Sequence, residues 1–201
     1  MTDWEFRYRH HDTPWEKGSA APPLLELMER WNAAPPWGGG EVLAPGCGFG
    51  HDVRVIASTG VPVLGLDLAA AAVEGARGFP SVGQERYLQA DLFDRSWWPA
   101  KGFTGWWEHT CFCAIDPVDR PRYAEAAGAL VRPGGWLCGV FFLTPNERGE
   151  ESCGPPFDST IGEIEGLLAP WFERVDAWVP TRSYPGREGR EWVAIFRRKQ
   201  D

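Results

Sequence analysis

Apolar residues recur at helical spacing from Ala21 to Trp31, through Leu24, Leu25, Leu27, Met28 and Trp31, and Pro22 and Pro23 suit a first turn. Pro35, Pro36 and Gly38 to Gly40 stop that helix, and Glu41 to Pro45 reads as a short strand. Asp52 to Ser58 is a short helical stretch, and Val61 to Leu68 is apolar nearly throughout, as in a strand covered on both faces. Ala69 to Arg77 reads as helix, Arg86 to Ala90 and Phe103 to Trp107 as strands, and Pro121 to Val131 as helix. Pro133-Gly134-Gly135 marks a tight turn before an apolar strand from Trp136 to Phe142. Arg174 to Val179 and Glu191 to Arg197 form a closing antiparallel pair with Pro185 to Gly189 between them. Ser96 to Gly102 and Pro145 to Asp158 read as loop insertions. Strands alternating with helices predict an α/β chain with a seven-stranded, mostly parallel doubly wound sheet and a C-terminal antiparallel hairpin.

Such sheets bind ligands at the carboxyl ends of their strands, normally just after the first one. Gly46, Gly48 and Gly50 stand there, where the lack of a Cβ lets the backbone turn tightly and approach a ligand. A dinucleotide loop would carry Gly or Ala at position 51, where this chain has His51. A loop that need not clamp a pyrophosphate favours S-adenosylmethionine, which has no phosphate. Asp67, about twenty residues on, is placed to accept hydrogen bonds from ribose hydroxyls. Asp91 and Leu92 follow the third strand, where a side-chain acceptor and a main-chain donor could meet an adenine; an Asp there serves equally as a turn or helix cap.

Composition narrows the class. A length of 201 residues fits one domain over 1–201, and a formal net charge of −8 argues against a broad nucleic-acid footprint. Arg197, Arg198 and Lys199 read as the solvated end of the last strand. No apolar run is long enough to span a bilayer, and the N-terminus lacks a signal-peptide core, so the expectation is a cytoplasmic protein without a membrane or nucleic-acid partner. Five cysteines without a paired framework suit a reducing compartment. Cys111 and Cys113 are too close together for the usual zinc pair, so they read as buried free thiols and no metal site is predicted. Twelve Trp is a high count, and several are expected at a site rather than in the core.

Four segments carry a family resemblance. Trp4 to Gly18 (WEFRYRHHDTPWEKG), Val42 to Asp52 (VLAPGCGFGHD), Glu108 to Pro117 (EHTCFCAIDP) and Cys153 to Phe157 (CGPPF) resemble the thiopurine S-methyltransferase superfamily, in particular its small branch of thiol and halide methyltransferases. The resemblance implies a Rossmann-like class I methyltransferase in which residues 1–33 form a lid segment and helix over S-adenosylmethionine. It implies that Trp4, Tyr8 and Trp15 close over the cofactor and that Gly46, Gly48 and Asp67 hold its amino-acid part and ribose. Asp91 and Leu92 would hold the adenine, with His109 nearby. Aromatic faces suit a sulfonium, at about 0.5 to 2 kcal/mol of cation–π stabilisation; Trp4 and Trp15 could equally be ordinary packing. Glu108 and Cys111 depart from the family pattern, which has Asp and Phe there.

The expected reaction is in-line methyl transfer to a small soft nucleophile such as a thiol, hydrosulfide or halide, which needs mainly positioning and desolvation. The sequence shows no recognisable His–carboxylate constellation, so no general base is obligatory. Glu108 and His109 are the candidates for orienting or deprotonating the acceptor. Phe112 and Phe157, with Pro155 and Pro156, are candidates for an apolar acceptor wall, and Arg148 for meeting an anion. Competing readings are a methyltransferase for an oxygen, nitrogen or metalloid oxyanion acceptor, a nicotinamide-dependent oxidoreductase, and a non-catalytic S-adenosylmethionine-binding protein.

Overall fold

A computed structural model of the chain describes residues 2–32, 36–145 and 154–200. In chain order it contains α1 (Trp4–Arg9), α2 (Pro22–Arg30), β1 (Val42–Pro45), α3 (His51–Ala57), β2 (Val63–Asp67), α4 (Ala70–Arg77) and β3 (Glu85–Gln89). Then follow β4 (Phe103–His109), α5 (Arg120–Leu130), β5 (Val131–Phe142), α6 (Ile161–Leu168), β6 (Phe172–Trp178) and β7 (Glu191–Arg198). The seven strands form one sheet in the order β3-β2-β1-β4-β5-β7-β6. β7 runs antiparallel to β5 and β6 while the other pairings are parallel. The predicted terminal pair is therefore present, with β7 inserted between β5 and its own hairpin partner.

Strand chemistry matches strand position. β1 and β2 are buried at every residue, as continuous apolar runs covered on both faces require, whereas edge strands β3 and β6 carry Glu85, Arg86, Glu173 and Arg174. Side chains alternate between two cores. Leu43, Trp106, Leu137 and Phe141 join α5 and α6 residues on one face, while Val42, Trp107, Cys138 and Val140 join α2 and α3 residues on the other. Among the described residues no helix is long and apolar enough to cross a membrane.

Three local differences from the sequence reading have physical causes. The predicted turn at Pro133-Gly134-Gly135 lies inside β5: Phe103 pairs with Val131 but Gly105 pairs with Trp136, so the intervening residues bulge, with Gly134 at φ +73°. The Ile161–Leu168 helix was not anticipated because Gly162 and Gly166 dilute its pattern, although the Thr160 hydroxyl accepts from Glu163 N–H at 3.1 Å in the cap arrangement that T-x-x-E signals. Arg198 and Lys199 are not simply solvated, since Arg198 Nε donates to Gly128 O at 3.0 Å and Lys199 Nζ to Ala169 O at 2.6 Å.

One buried carboxylate ties α2 to the segment between β6 and β7. Glu26 accepts from Trp178 Nε1 at 3.0 Å, Thr181 N at 2.8 Å, Thr181 Oγ1 at 2.7 Å and Arg182 N at 3.0 Å. Burial pushes its pKa up, but these hydrogen bonds outweigh burial and hold it below the ordinary carboxylate range. Replacing Glu26 by Ala strands those donors and is expected to cost about 1–3 kcal/mol in urea unfolding, with Glu26→Gln losing less. A neutral result for Glu26→Ala would show that the segment is held by other means.

Candidate active site

The carboxyl ends of β1, β2 and β4 open into one cavity of about 1030 Å³, roofed by the N-terminal segment. Its floor is the loop after β1. Gly46 and Gly48 take left-handed φ of +59° and +53°, and a Cβ on them would stand 3.1 Å from Cys111 Sγ and 3.0 Å from Tyr8 Oη. The left-handed backbone favours glycine at both positions, and a Cβ would crowd these neighbours. Asp67, at the end of β2, accepts from Gly48 N and Ala69 N, each at 2.9 Å, so the loop and the acid hold each other in place. Burial pushes the Asp67 carboxyl up despite those bonds. With the Leu68 N–H also directed at it, the carboxylate still has acceptor capacity for a ligand hydroxyl.

The roof is an aromatic cluster. Trp15 Nε1 donates to Tyr8 Oη at 3.1 Å, and the Trp4 and Trp15 rings meet edge to face at 5.3 Å. Arg7 lies over the Trp15 ring at 4.4 Å and is tethered to Asp12 at 2.9 Å, so part of the aromatic surface already serves a cation of the chain itself. The roof is docked on α4, whose N-terminus lacks a side-chain cap of its own: Glu5 Oε2 accepts from Ala71 N at 2.9 Å. A second tether joins it to α3. Arg54 donates to His51 Nδ1 at 2.9 Å, leaving Nε2 to donate to Glu16 at 2.8 Å.

Asp91 and Leu92 border the cavity together. Asp91 is exposed and its carboxylate accepts from Phe93 N at 2.9 Å in a local turn, while Leu92 is buried.

At the end of β4 the sequence expectation needs correcting. Glu108 and His109 are neighbours in the chain, and the strand's two-residue period sends them to opposite faces. Glu108 is fully buried among the α5-side core, does not border the cavity, and has both oxygens engaged, one by Phe112 N at 2.8 Å and the other by the Tyr123 hydroxyl. Phe112 likewise packs inward, against Tyr123 and Phe141, and is not part of the cavity wall. His109 does border the cavity, and its Nδ1 lies 2.9 Å from Asp52 Oδ2. A His–carboxylate pair therefore exists, contrary to the sequence reading, built from residues that only the β1–α3 turn and the β4 end bring together. Asp52 also accepts from Trp107 Nε1 at 2.8 Å and Ala21 N at 2.7 Å. Burial pushes its pKa up, but the His109 imidazole beside it and these hydrogen bonds outweigh burial and hold it below the ordinary range.

The far end of the cavity is walled by Phe157, Pro155 and Pro156 as anticipated, and by Phe142, Tyr184 and Arg187, which were not. Phe157 is fixed by its N–H to Cys113 O at 2.7 Å. Arg187 is buried, 4.6 Å from the Phe142 ring and 3.3 Å from Glu191 Oε1. Tyr184 and Arg187 lie in the connection between β6 and β7, where no local pattern signals a cavity wall. For Asp52 a signal existed in its position just after the glycine loop. Arg148 lies outside the described residues.

Comparison with known proteins follows the same lines. The sequence model of the family described as thiopurine S-methyltransferase matches residues 1–195. A probable thiol methyltransferase 2 of Arabidopsis thaliana is 35% identical over 171 residues, covering 83% of this chain and 71% of that protein. Thiocyanate methyltransferase 1 of the same plant is 31% identical over 200 residues, covering 97% and 84%. The fold is shared with a Burkholderia thailandensis 1,6-didemethyltoxoflavin-N1-methyltransferase bound to S-adenosylhomocysteine, at a TM-score of 0.71 and 21% identity, covering 99% of this chain and 86% of the other.

Burial raises the Glu108 pKa to about 7. Between the ordinary carboxylate value and about 7 the folded protein holds a proton that the unfolded chain has lost, so this group's contribution to stability falls as pH rises through that window. The stability of the parent relative to Glu108→Gln is therefore expected to decline between about pH 5 and 7.5. Thermal melting across that range checks it; a difference independent of pH would refute it.

Proposed function

Because the chain belongs to the thiopurine S-methyltransferase family, we propose that its acceptor is a small thiol, hydrosulfide or thiocyanate-like sulfur nucleophile that enters opposite the aromatic roof. The chain is an S-adenosylmethionine-dependent methyltransferase of small sulfur-containing acceptors. The observation that carries the finer reading is the joining, in one cavity, of a glycine floor, an acid at the β2 end and an apolar wall beyond them.

In this reading Gly46 and Gly48 leave room for the amino-acid part of S-adenosylmethionine, and the remaining acceptor capacity of Asp67 takes its ribose hydroxyls. Leu92 packs against the adenine with Asp91 at its edge. Residues 1–33 act as the lid of a single domain spanning 1–201, with Trp4, Tyr8 and Trp15 excluding water. When bound, the cofactor supplies an electrophilic methyl group on a sulfonium centre. The chain then has to present a desolvated sulfur in line with that carbon, which Phe142, Phe157 and Tyr184 do by shape. Arg187, paired with Glu191, offers the wall N–H donors for an anionic acceptor. Free thiols at Cys47, Cys111, Cys113 and Cys138 support a reducing compartment, and we place the enzyme in the cytoplasm.

The test is methyl transfer from isotope-labelled S-adenosylmethionine to an alkanethiol and to thiocyanate, read by mass spectrometry of the volatile products, with labelled methyl expected in at least one. Asp67→Ala is expected to weaken S-adenosylhomocysteine binding about ten- to hundredfold by calorimetry, the loss that follows removal of a charged hydrogen-bonding partner. Transfer to oxygen or nitrogen acceptors alone, or an unaltered affinity in the variant, would overturn the assignment.

A further inference from the structure

A sulfur anion needs no base to accept a methyl group, yet the cavity is bordered by a pair built like one. Asp52 accepts from His109 Nδ1, and an ionised carboxylate in that place fixes the hydrogen on Nδ1 and leaves the lone pair on Nε2. Nε2 is enclosed and has no hydrogen-bond partner among the described residues, a costly state for a buried polar atom unless a ligand completes it. The ring is held in place. Tyr184 stacks near it with centroids 6.2 Å apart and planes at 24°, and the Tyr184 hydroxyl donates to Ser19 O at 2.6 Å.

We propose that His109 takes the proton of a neutral thiol acceptor and that Asp52 is the positioning residue that keeps its imidazole in the required tautomer, so that this chain methylates protonated thiols at neutral pH as well as sulfur anions. The inference rests on the methyltransferase reading above and deepens it. In the step, the acceptor S–H bond breaks and its proton goes to Nε2. The electron pair left on sulfur forms the new bond to the methyl carbon, and the pair of the old bond returns to the donor sulfur, giving a methyl thioether and S-adenosylhomocysteine. The titratable groups recorded against the imidazole are Asp52 from α3, Glu108 behind it on β4 and Tyr184 from the β6–β7 connection, while Cys111, Cys113, Arg187 and Glu16 border the same cavity. Of these only Asp52 hydrogen-bonds to the ring.

His109→Asn keeps an N–H for Asp52 and removes the base. The ratio of kcat/KM for an alkanethiol to that for thiocyanate is expected to fall about a hundredfold at pH 7, the usual contribution of a general base. As pH rises toward the thiol's own ionisation the variant's thiol rate should recover about tenfold per pH unit, because the thiolate then forms without help. Asp52→Asn should shift the same ratio in the same direction by a smaller factor. Calorimetry with S-adenosylhomocysteine separates this role from donor binding. Equal losses on both acceptors, or a loss confined to S-adenosylhomocysteine affinity, would overturn the proposal. Should either variant fail to fold, the parent supplies the test: with a base, thiols of different acidity react at similar rates at pH 7, and rates following their thiolate fractions would refute it. A parent that binds S-adenosylhomocysteine but methylates neither acceptor would instead sink the acceptor class itself.

Discussion

The half-buried Asp52 carboxylate is the interaction on which the site's geometry turns. It collects the Ala21 N–H at the head of α2, the Trp107 indole from β4 and the His109 imidazole from the strand end. The N-terminal segment, the sheet and the glycine-loop helix thus share one acceptor. A buried carboxylate is costly unless its lone pairs are used, and the same three donors that satisfy Asp52 orient the side chains around the cavity. Trp107 and His109 can both reach it because they stand two residues apart on one face of β4.

A similar economy runs through the rest of the cavity. The Asp67 carboxylate fixes the glycine loop from below, and Tyr8 closes on that loop from above, near enough that a Cβ on Gly48 would crowd its hydroxyl. Glu5 caps α4 from the lid, so the helix that follows the acid and the roof over the cavity are stabilised by one hydrogen bond. Floor, acid and roof are therefore preorganised together, which is what a transfer reaction dominated by positioning requires. Glu26 extends the arrangement to the far wall by anchoring the segment that delivers Tyr184 and Arg187.

Much of this was legible from the chain. The glycine loop, Asp67 and the strand end at Asp91 follow from local pattern, because a parallel sheet gathers strand ends along one edge whatever the loops do, whereas the aromatic opening and His109 come from the family resemblance. Glu108 and Phe112 were misassigned for a definite reason. Motif matching treats neighbours as sharing an environment, whereas a strand sends alternate side chains to opposite faces, and here one face is core and the other is cavity. Tyr184, Arg187 and the partnership of Asp52 with His109 carry no local signal, since each depends on contacts between segments distant in sequence.

By itself the sequence determined the fold class, the glycine loop after the first strand with acids at the following strand ends, and the residue types that suit the cofactor. These depend on periodicity and on glycine and acid positions, which are properties of short segments. Only the tertiary structure decided which carboxylate faces the cavity and which serves the core. It also decided which nitrogen of His109 is left without a partner and which side chains close the acceptor end. Those outcomes are fixed by burial and by long-range hydrogen bonds, and a buried polar group takes whatever partner the packed fold brings within reach.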